Sequence, residues 1–427
     1  MNNGMKASIL ATVLMSNFAI AKTTINFWTW APSESTLNAV IEKFEEENPD
    51  IDVNLTLLES TAYQDRLPLA LASGDSIDVA AVQTSTMVNV VKDFLEPLTP
   101  LYSKHANSEI ETQLNNSALS QAKSLADNGV LYIAPMGMLG SVVAFYNKDL
   151  MDELGLSVPQ NREELASFVK TIETKRPDLL PISFTGANWF LDEIANTISE
   201  QVKPGLFNLI RYDEGGKWQS EEYSKTFDTL VSLYNDGIFS KDTLDIDYAR
   251  AVELFQTQKS VMFLQGSWES GILSAPFREA NGITLNNVTA SGFPVVVEGG
   301  KKSLRSFIEV GLSVPLNSEN KKEAVKFIEF ITHGAGVDVW SENLFMVPTK
   351  IGYELPEGIF STEAARKGYE ETASLLSNPG SDRNNVSDFS AKVGDTIISS
   401  IVNGKDTQSQ VEMLQSEWES GRYSNDF

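Results

Sequence analysis

The stretch from Val252 to Trp268 decides the fold, and it reads VELFQTQKSVMFLQGSW. Apolar residues at positions 251, 252, 254 and 255 have helical spacing, and a short apolar run follows at 261–264. Polar residues before that run and Gly266 after it predict a strand that is buried on both faces. Gly266 permits a turn, and Ser267 can cap a following helix. Trp268 could be a core residue, but its two neighbours favour a surface turn at the carboxyl edge of a parallel sheet, where open α/β folds bind ligands.

This helix, apolar strand and Gly-Ser-Trp turn resemble the extracellular solute-binding proteins of carbohydrate ABC importers, the maltose-binding type. Three further segments carry the same resemblance, namely Phe27–Trp30 with 47–51, the Tyr-Asn-Lys-Asp-Leu run at 146–150, and 388–418. The resemblance implies a class II periplasmic-binding-protein fold, α/β, with two lobes, each a mainly parallel sheet flanked by helices, and three hinge crossings. In this family the tryptophan that corresponds to Trp268 stacks on the sugar.

Length, charge and composition exclude several classes of protein. The chain has 427 residues, which favours two domains, and 33 basic against 58 acidic residues give a net charge of −25. Such a surface repels phosphate backbones and anionic lipid, so neither nucleic-acid binding nor membrane-surface binding is expected. Because the chain has no cysteine, disulfides and thiolate sites are excluded. His105 and His333 are far apart in sequence and are interpreted as surface residues.

The amino terminus has the pattern of a targeting segment. Lys6 precedes an apolar run from Ala7 to Ala21, which ends in Ala-Ile-Ala. This pattern predicts a cleavable signal peptide at 1–21, and the run is too short to span a membrane. The cleavage point lacks the cysteine of a lipoprotein. The mature chain is therefore expected to begin near Lys22 and, by resemblance, to lie in the periplasm without inserting in the membrane. Either Met1 or Met5 could be the start.

The first part of the chain predicts three strand-and-helix units. A strand at 24–29 leads to Trp30, and a helix follows with Ser33 or Ser35 as its cap and Glu34 in its first turn. Tyr63 stands at the start of the second predicted helix, and Gln83 follows the third predicted strand. If the sheet is parallel and right-handed, Trp30, Tyr63 and Gln83 share one rim. The resemblance implies that this rim faces a cleft.

Three segments are interpreted as the crossings between the lobes. They lie at Tyr132–Pro135, Gly292–Val295 and Phe345–Pro348. Gly137 and Gly140, just after the first, are expected to make a bend. The predicted lobes are 22–135 with 293–348, and 136–292 with 349–427.

A pyranose has an apolar face of C–H groups and a rim of hydroxyls, so it needs aromatic plates together with amides or carboxylates. The predicted plates include Trp189, although this side chain could equally pack under the helix that follows it. Family members often carry a glycine pair before the strand at 308–315, where this chain has Ser306–Glu309. A side chain from Phe307 or Glu309 is therefore expected to replace a backbone contact, and Phe389 matches the place of a ligand-touching aromatic. The predicted ligand-binding residues are Trp30, Glu34, Tyr63, Gln83, Asn188, Trp189, Trp268, Glu269, Phe307, Glu309 and Phe389.

No predicted rim position holds a lysine or arginine, which favours a neutral saccharide over a charged one; Arg305, just outside the strand that runs to Pro315, is the main observation against this. The acidic cluster Asp242, Asp245 and Asp247 lacks the spacing of a calcium loop, so no metal and no cofactor are expected. The resemblance implies a monomer without catalytic residues that closes on a sugar and delivers it to an ABC permease. Three alternatives stay open: a polysaccharide-active enzyme, the same fold with a glycerol phosphodiester, opine or metal chelate, and a sensor.

Overall fold

The structure is a computed structural model, and it describes residues 22–83, 86–106, 108–124, 129–211, 216–377, 381–382 and 388–422. The predicted signal peptide at 1–21 lies outside the described residues. Among the helices of the described ranges, none is long and apolar enough to cross a bilayer.

The described chain alternates strands and helices. The strands are β1 Thr23–Thr29, β2 Ile51–Leu57, β3 Val79–Val82, β4 Ala134–Ser141, β5 Val143–Asn147, β6 Leu180–Ser183, β7 Ser260–Gln265, β8 Val288–Gly292, β9 Arg305–Ser313, β10 Val347–Pro348 and β11 Ser381–Asp382. The helices of the first half are α1 Glu34–Glu47, α2 Ser60–Ser73, α3 Thr86–Val91, α4 Leu98–His105, α5 Ile110–Gln113, α6 Asn116–Ser124, α7 Lys148–Leu154, α8 Arg162–Lys175, α9 Asn188–Val202 and α10 Leu206–Arg211. Those of the second half are α11 Glu221–Asn235, α12 Tyr248–Gln256, α13 Ala275–Ala280, α14 Lys321–Thr332, α15 Gly336–Ser341, α16 Glu363–Ser377, α17 Asp388–Asn403 and α18 Thr407–Glu419. Short 3₁₀ helices lie at Lys92–Phe94, Lys241–Asp245 and Ser267–Leu273.

The strands form two sheets, and each sheet organises a lobe. The first has the order β10-β4-β9-β3-β1-β2, with β11 paired to β9, and the second has the order β6-β7-β5-β8. The predicted two-lobed α/β fold is confirmed. The sheets are mixed rather than mainly parallel, because β9 runs antiparallel to β3 and β4, and β5 runs antiparallel to β7 and β8.

The opening units fold as their sequence predicts. Strand β1 pairs in parallel with β2 and β3, so the ends of these strands lie on one rim. Ser33 caps α1 by accepting a hydrogen bond from the backbone N–H of Thr36, and Asn161 caps α8 in the same way through Glu164. These caps satisfy backbone donors that the first helical turn leaves without partners.

The second sheet is covered on both faces, which explains the unbroken apolar run of β7. All six residues of Ser260–Gln265 are buried. Met262 and Leu264 point into the core that contains α8, α9 and α17, whereas Phe263 points into a separate core with Phe255 of α12. Successive side chains of a strand face opposite sides of the sheet. A strand between two apolar layers therefore shows no polar alternation, as predicted for 261–264.

The first crossing lies later than its predicted position at Pro135. Strand β4 pairs with β9 in the first sheet from Ala134 to Ser141, and β5 begins in the second sheet at Val143. The chain therefore changes lobe at Val142, whose φ is +64°. Gly137 and Gly140 lie within β4 and do not end it. A Cβ at Gly137 would lie 2.6 Å from Cβ of Met346, and one at Gly140 would lie 2.4 Å from Leu376 Cδ2. Each glycine thus admits a close neighbour.

The other two crossings are also displaced from their predicted positions. Phe293 is buried in the second-lobe core, and Gln201 holds the following loop by donating to the Pro294 carbonyl and accepting from the Val296 N–H. The chain re-enters the first sheet only at Arg305. At the third crossing the backbone N–H of Ile351 still donates to Gln113 of the first lobe. The predicted bounds at 293 and 348 are therefore wrong. Strand β11 pairs with β9, so the chain returns once more to the first sheet.

Candidate functional site

Trp268 reaches the surface because the backbone at Gly266 leaves room for its ring. A Cβ on Gly266 would lie 2.1 Å from Cζ3 of the Trp268 indole, so the ring folds back over this glycine. Ser267 does not cap the 3₁₀ helix that follows, contrary to prediction. Its hydroxyl instead accepts a hydrogen bond of 2.9 Å from the backbone N–H of Gly140 in β4. That bond joins the segment after β7 of the second sheet to a strand of the first.

Trp30 and Trp268 line one cleft of about 800 Å³. Trp30 follows β1 of the first sheet, and Trp268 follows β7 of the second, although its partly buried ring also packs against the first-lobe core. The volume is within the range of small-molecule sites, roughly 300–1,000 Å³. The cleft is lined by Trp30, Ala31, Pro32, Ser33, Ser35, Thr36, Leu57, Leu58, Glu59, Trp268, Gly271, Phe277, Asn281, Asn343 and Phe345.

The cleft lining combines flat apolar surfaces with neutral hydrogen-bonding groups. Trp30, Trp268, Phe277 and Phe345 are its aromatic members, and serine, threonine and asparagine side chains supply donors and acceptors. Among these lining residues one acid, Glu59, is present and no lysine or arginine. Such a lining can stack on an apolar ring face and hydrogen-bond to hydroxyls, but it offers no cation for a phosphate or carboxylate.

A chain of hydrogen bonds lies behind Trp30. Its indole Nε1 donates to Glu309 Oε1 at 3.1 Å, and the Gln83 amide donates to the other oxygen, Oε2, also at 3.1 Å. Gln83 in turn accepts a bond of 3.2 Å from the Gln64 amide. Trp30, Gln83 and Glu309 are each partly buried. The structure thus brings together three residues that the sequence analysis proposed separately as ligand contacts.

Tyr63 lies beneath Trp30 and not on the rim, which corrects its predicted place there as a ligand contact. It is fully buried, and its ring centroid is 5.0 Å from that of Trp30. Its hydroxyl lies 2.7 Å from the carbonyl oxygen of Ala81 and 3.1 Å from that of Trp28. These two carbonyls draw the side chain inward, and burial raises the pKa of Tyr63 well above its ordinary value.

Trp189 occupies an intermediate position in the second lobe. It stands in the first turn of α9, is partly buried, and its ring centroid is 6.3 Å from that of Trp268 and 5.4 Å from that of Phe190. Both placements that the sequence left open are therefore partly realised. The ring neighbours the indole of the cleft, and it also packs on the second-lobe core.

Two predicted polar contacts already have protein partners. The Asn188 amide donates to Asp395 of α17 at 2.6 Å, and the Glu269 carboxylate accepts from the Tyr248 hydroxyl. Burial raises the pKa of Glu269, and the bond from Tyr248 partly opposes that shift. Glu269 follows the cleft-lining Trp268 in sequence, but Glu269 does not itself line the cleft.

Three predicted contacts are not among the residues that line the cleft. Glu34 is exposed in the first turn of α1, where a carboxylate favours the helix dipole, and it is not among the lining residues. Phe307 is 2 % exposed on β9, which is covered on both faces. Phe389 is fully buried against Trp218 and Trp418, with ring centroids 4.9 and 4.8 Å away. Each aromatic belongs to a core because its element has no solvent-facing side at that position.

Arg305, the exception noted in the sequence, is not available to a ligand. It is 1 % exposed, and its guanidinium lies 3.0 Å from the Glu193 carboxylate of α9. Its charge is matched inside the protein. Asp247 of the acidic cluster caps α12 by accepting from the backbone N–H of Arg250. No group of acidic and histidine side chains suited to a metal occurs among the described residues.

Several lining residues were missed by the sequence analysis. Phe277 and Asn281 lie on and just after the short helix α13, and Asn343 and Phe345 precede β10. Phe345 was noted only as part of a crossing. Because a chain that crosses between the lobes passes the cleft, the predicted crossing at Phe345–Pro348 could have indicated that Asn343 and Phe345 line it. For Phe277 and Asn281 the sequence offers none, because tertiary packing alone brings α13 to the cleft.

Comparisons with known proteins agree with this architecture. Residues 29–333 match the family profile described as bacterial extracellular solute-binding protein. A multiple sugar-binding protein of Streptococcus mutans is 26% identical over 327 residues, covering 70% of this chain and 68% of that protein. The melibiose/raffinose/stachyose-binding protein MelE of Bacillus subtilis is 20% identical over 358 residues, covering 81% and 76%.

Solved structures show the same fold. The structure of a Listeria monocytogenes ABC substrate-binding protein in complex with cycloalternan superposes with a TM-score of 0.72 at 17% identity, covering 93% of this chain and 98% of that one. At that identity the likeness speaks for the fold, and the profile match extends over most of the chain. The chain therefore belongs to the bacterial extracellular solute-binding protein family.

Proposed function

We propose that this protein binds a neutral saccharide, an oligosaccharide in particular, in the cleft between its lobes and delivers it to the permease of an ABC importer. The observation that carries the proposal is the placement of Trp30 and Trp268, which come from different sheets and line one cleft. Two indoles can cover apolar sugar faces while the serine, threonine and asparagine side chains of the lining meet the hydroxyls. The sugar-binding relatives support this choice of ligand class.

The charge of the site supports a neutral ligand over a phosphodiester or an opine. Among the residues that line the cleft, Glu59 is the one charged side chain, and it is acidic. Recognition of an anion would call for a bidentate arginine or a group of cations. The guanidinium of Arg305 is buried and paired with Glu193. A monosaccharide or oligosaccharide without charge thus fits this lining better.

The transport cycle would follow from closure of the lobes. A ligand that touches both walls stabilises the closed form in proportion to its differential affinity for the two forms. The permease would then recognise the closed form. We further propose that the chain is exported by the segment at 1–21, acts in the periplasm as a monomer, and catalyses no reaction on its ligand.

Tryptophan fluorescence and thermal denaturation test this function on residues 22–427. A panel of neutral mono- and oligosaccharides is compared with sugar phosphates, and the products are assayed for cleavage. We expect at least one neutral saccharide to shift the emission and raise the melting temperature with a dissociation constant near micromolar, about −8 kcal/mol.

Variants of the two walls complete the test. Trp30→Ala and Trp268→Ala should each weaken binding by at least about tenfold, because each loses an aromatic surface whose burial contributes on the order of 1.5–3 kcal/mol. Glu42→Gln removes a charge from the exposed face of α1 and is the matched control. Preference for sugar phosphates, or turnover of the saccharide, would contradict the proposal.

A further inference from the structure

The Glu309 carboxylate is the centre of the polar network behind Trp30. It projects from the middle of β9, and each of its oxygens accepts one bond of 3.1 Å, Oε1 from the Trp30 indole and Oε2 from the Gln83 amide. Because the acceptor is a carboxylate, each of these bonds is of the charge-assisted kind, which is stronger than a bond between neutral groups. Trp30 lines the cleft, whereas Glu309 is not among the lining residues. The carboxylate therefore lies behind the aromatic plate.

Two contacts together define the orientation of the Trp30 ring. Its face packs on Tyr63 at a centroid separation of 5.0 Å and an angle of 49°, and Tyr63 is itself held by the Ala81 and Trp28 carbonyls. A contact on one ring face leaves some freedom to the χ1 and χ2 torsions of Trp30. The bond from Nε1 to Glu309 removes that freedom. A loop tryptophan is thereby held in one pose, which reduces the ordering cost of binding.

We propose that Glu309 is a positioning residue of the cleft, which holds Trp30 in its ligand-facing orientation and acts on binding through that indole. This inference rests on the proposed saccharide site, and it replaces the expectation that Glu309 contacts the sugar itself. Glutamate suits the role because two donors converge on it. A glutamine at this position has one acceptor oxygen, so either Trp30 or Gln83 would lose its partner.

A double-mutant cycle with Glu309→Gln and Trp30→Phe tests this role. Phenylalanine keeps an aromatic plate but has no N–H to donate. In the wild-type background Glu309→Gln is expected to weaken binding of the identified saccharide about tenfold, as loss of one charge-assisted bond would do. In the Trp30→Phe background the same change should alter binding by less than about twofold. An undiminished loss in that background would show direct contact with the ligand and overturn the proposal.

A ligand-free measurement separates this proposal from the saccharide assignment. The near-ultraviolet circular dichroism of Trp30 is obtained as the difference between each protein and its Trp30→Phe counterpart. We expect Glu309→Gln to change that difference spectrum and Glu42→Gln to leave it unchanged. If no saccharide binds but the Trp30 signal depends on Glu309, the proposed function fails while the positioning role stands.

A second variant guards against misfolding of the first. Gln83→Leu removes the donor to Oε2 of Glu309, while Trp30 and Glu309 themselves are not substituted. Without that donor the carboxylate can rotate, so the Trp30 difference spectrum should again change, with the denaturation midpoint serving as the measure of folding. A Trp30 spectrum that is the same in the wild type and in every folded variant of Glu309 and Gln83 would overturn the inference.

Discussion

Single side chains at this site are placed by the chemistry of their immediate neighbours. Gly266 leaves the space that the Trp268 ring fills, and the Ser267 hydroxyl accepts a bond from the Gly140 backbone. A larger residue at position 266 would push the indole away, since a Cβ there would lie within 2.3 Å of three ring atoms. The Gly-Ser-Trp sequence therefore acts as one unit, in which two small residues position a large one.

The stability of the folded protein should depend on pH through His333. Its Nδ1 lies 2.9 Å from the Thr332 hydroxyl and its Nε2 lies 3.3 Å from that of Ser108. Burial lowers the pKa of His333 from 6.5 to about 4, and Lys350 adds to the effect. Between these values the unfolded chain binds a proton that the folded protein does not. The contribution of neutral His333 to the free energy of unfolding is therefore full above about pH 6.5 and is lost as the pH falls towards 4.

The variant His333→Gln should remove part of this pH dependence. Urea denaturation at pH 7.5 and pH 4.5 is expected to show that the wild type loses about 2 kcal/mol more than the variant, the remainder of the loss coming from carboxylates. Glutamine can still hydrogen-bond to Ser108 and Thr332, so the comparison isolates the titration. Parallel losses in both proteins would mean that His333 does not titrate in this way.

The aromatic residues show how far such placements follow from sequence. Trp30 and Trp268 could be assigned to strand ends because glycine, serine and proline mark the turns beside them. Tyr63 could not be assigned, because its position depends on two carbonyls of β1 and β3 that the fold brings over α2. Phe389 looked like a rim residue by its place in the chain, yet the packing of Trp218 and Trp418 makes it core.

At the scale of elements, α9 is buried over most of its length and still carries charged side chains. Twelve of its residues, Phe190–Gln201, are buried, including Asp192 and Glu193. The Asp192 carboxylate accepts both of its bonds from Arg211 at 2.8 Å, and the guanidinium also lies over Phe207, 4.5 Å from the ring centroid. A helix that is buried all round is usually apolar, so its charges must be matched by partners.

Removing one partner of the Asp192–Arg211 ion pair should lower the free energy of unfolding more than replacing both partners with apolar residues. Asp192→Ala leaves the Arg211 charge buried without its carboxylate, and a loss of about 3–5 kcal/mol in the free energy of unfolding is expected. The double variant Asp192→Leu/Arg211→Met fills the space with apolar groups and should recover most of that loss. Chemical denaturation measures both. A double variant no more stable than the single one would show that the ion pair itself supplies the stability.

Local patterns predicted most of the elements, but not the limits of the lobes. The cap residue Ser33 and the apolar run at 261–264 have local causes, and the structure bears out both of them. Gly137 and Gly140 were expected to make a bend after a crossing at Tyr132–Pro135, but both lie within β4. Their true role is to admit Met346 and Leu376, which are distant in sequence. Glycine signals close approach as readily as a turn, and only the neighbours decide between the two.

At the scale of the whole molecule, the lobes are joined by buried groups as well as by the chain. Arg305 at the start of β9 pairs at 3.0 Å with Glu193 of α9, and both side chains are at most 3 % exposed. This ion pair links the first sheet to the second-lobe core at the point where the chain crosses. Trp268 makes a second link, at the cleft. Motion of the lobes should therefore pivot near Arg305 and open the side of the cleft.

Small-angle X-ray scattering can test that motion directly. With a saccharide that raises the melting temperature, the wild-type radius of gyration is expected to fall on saturation, because the ligand bridges the two walls and favours the closed form. At 100 times the dissociation constant the same ligand should add about 2.7 kcal/mol to the free energy of unfolding. Trp268→Ala, with an affinity at least about tenfold lower, should gain at most about 1.4 kcal/mol at that concentration, whereas Glu42→Gln should gain as much as the wild type and contract as the wild type does. If the wild type binds without any decrease in its radius of gyration, ligand binding does not close the lobes, and recognition by the permease would have to depend on some other feature of the complex.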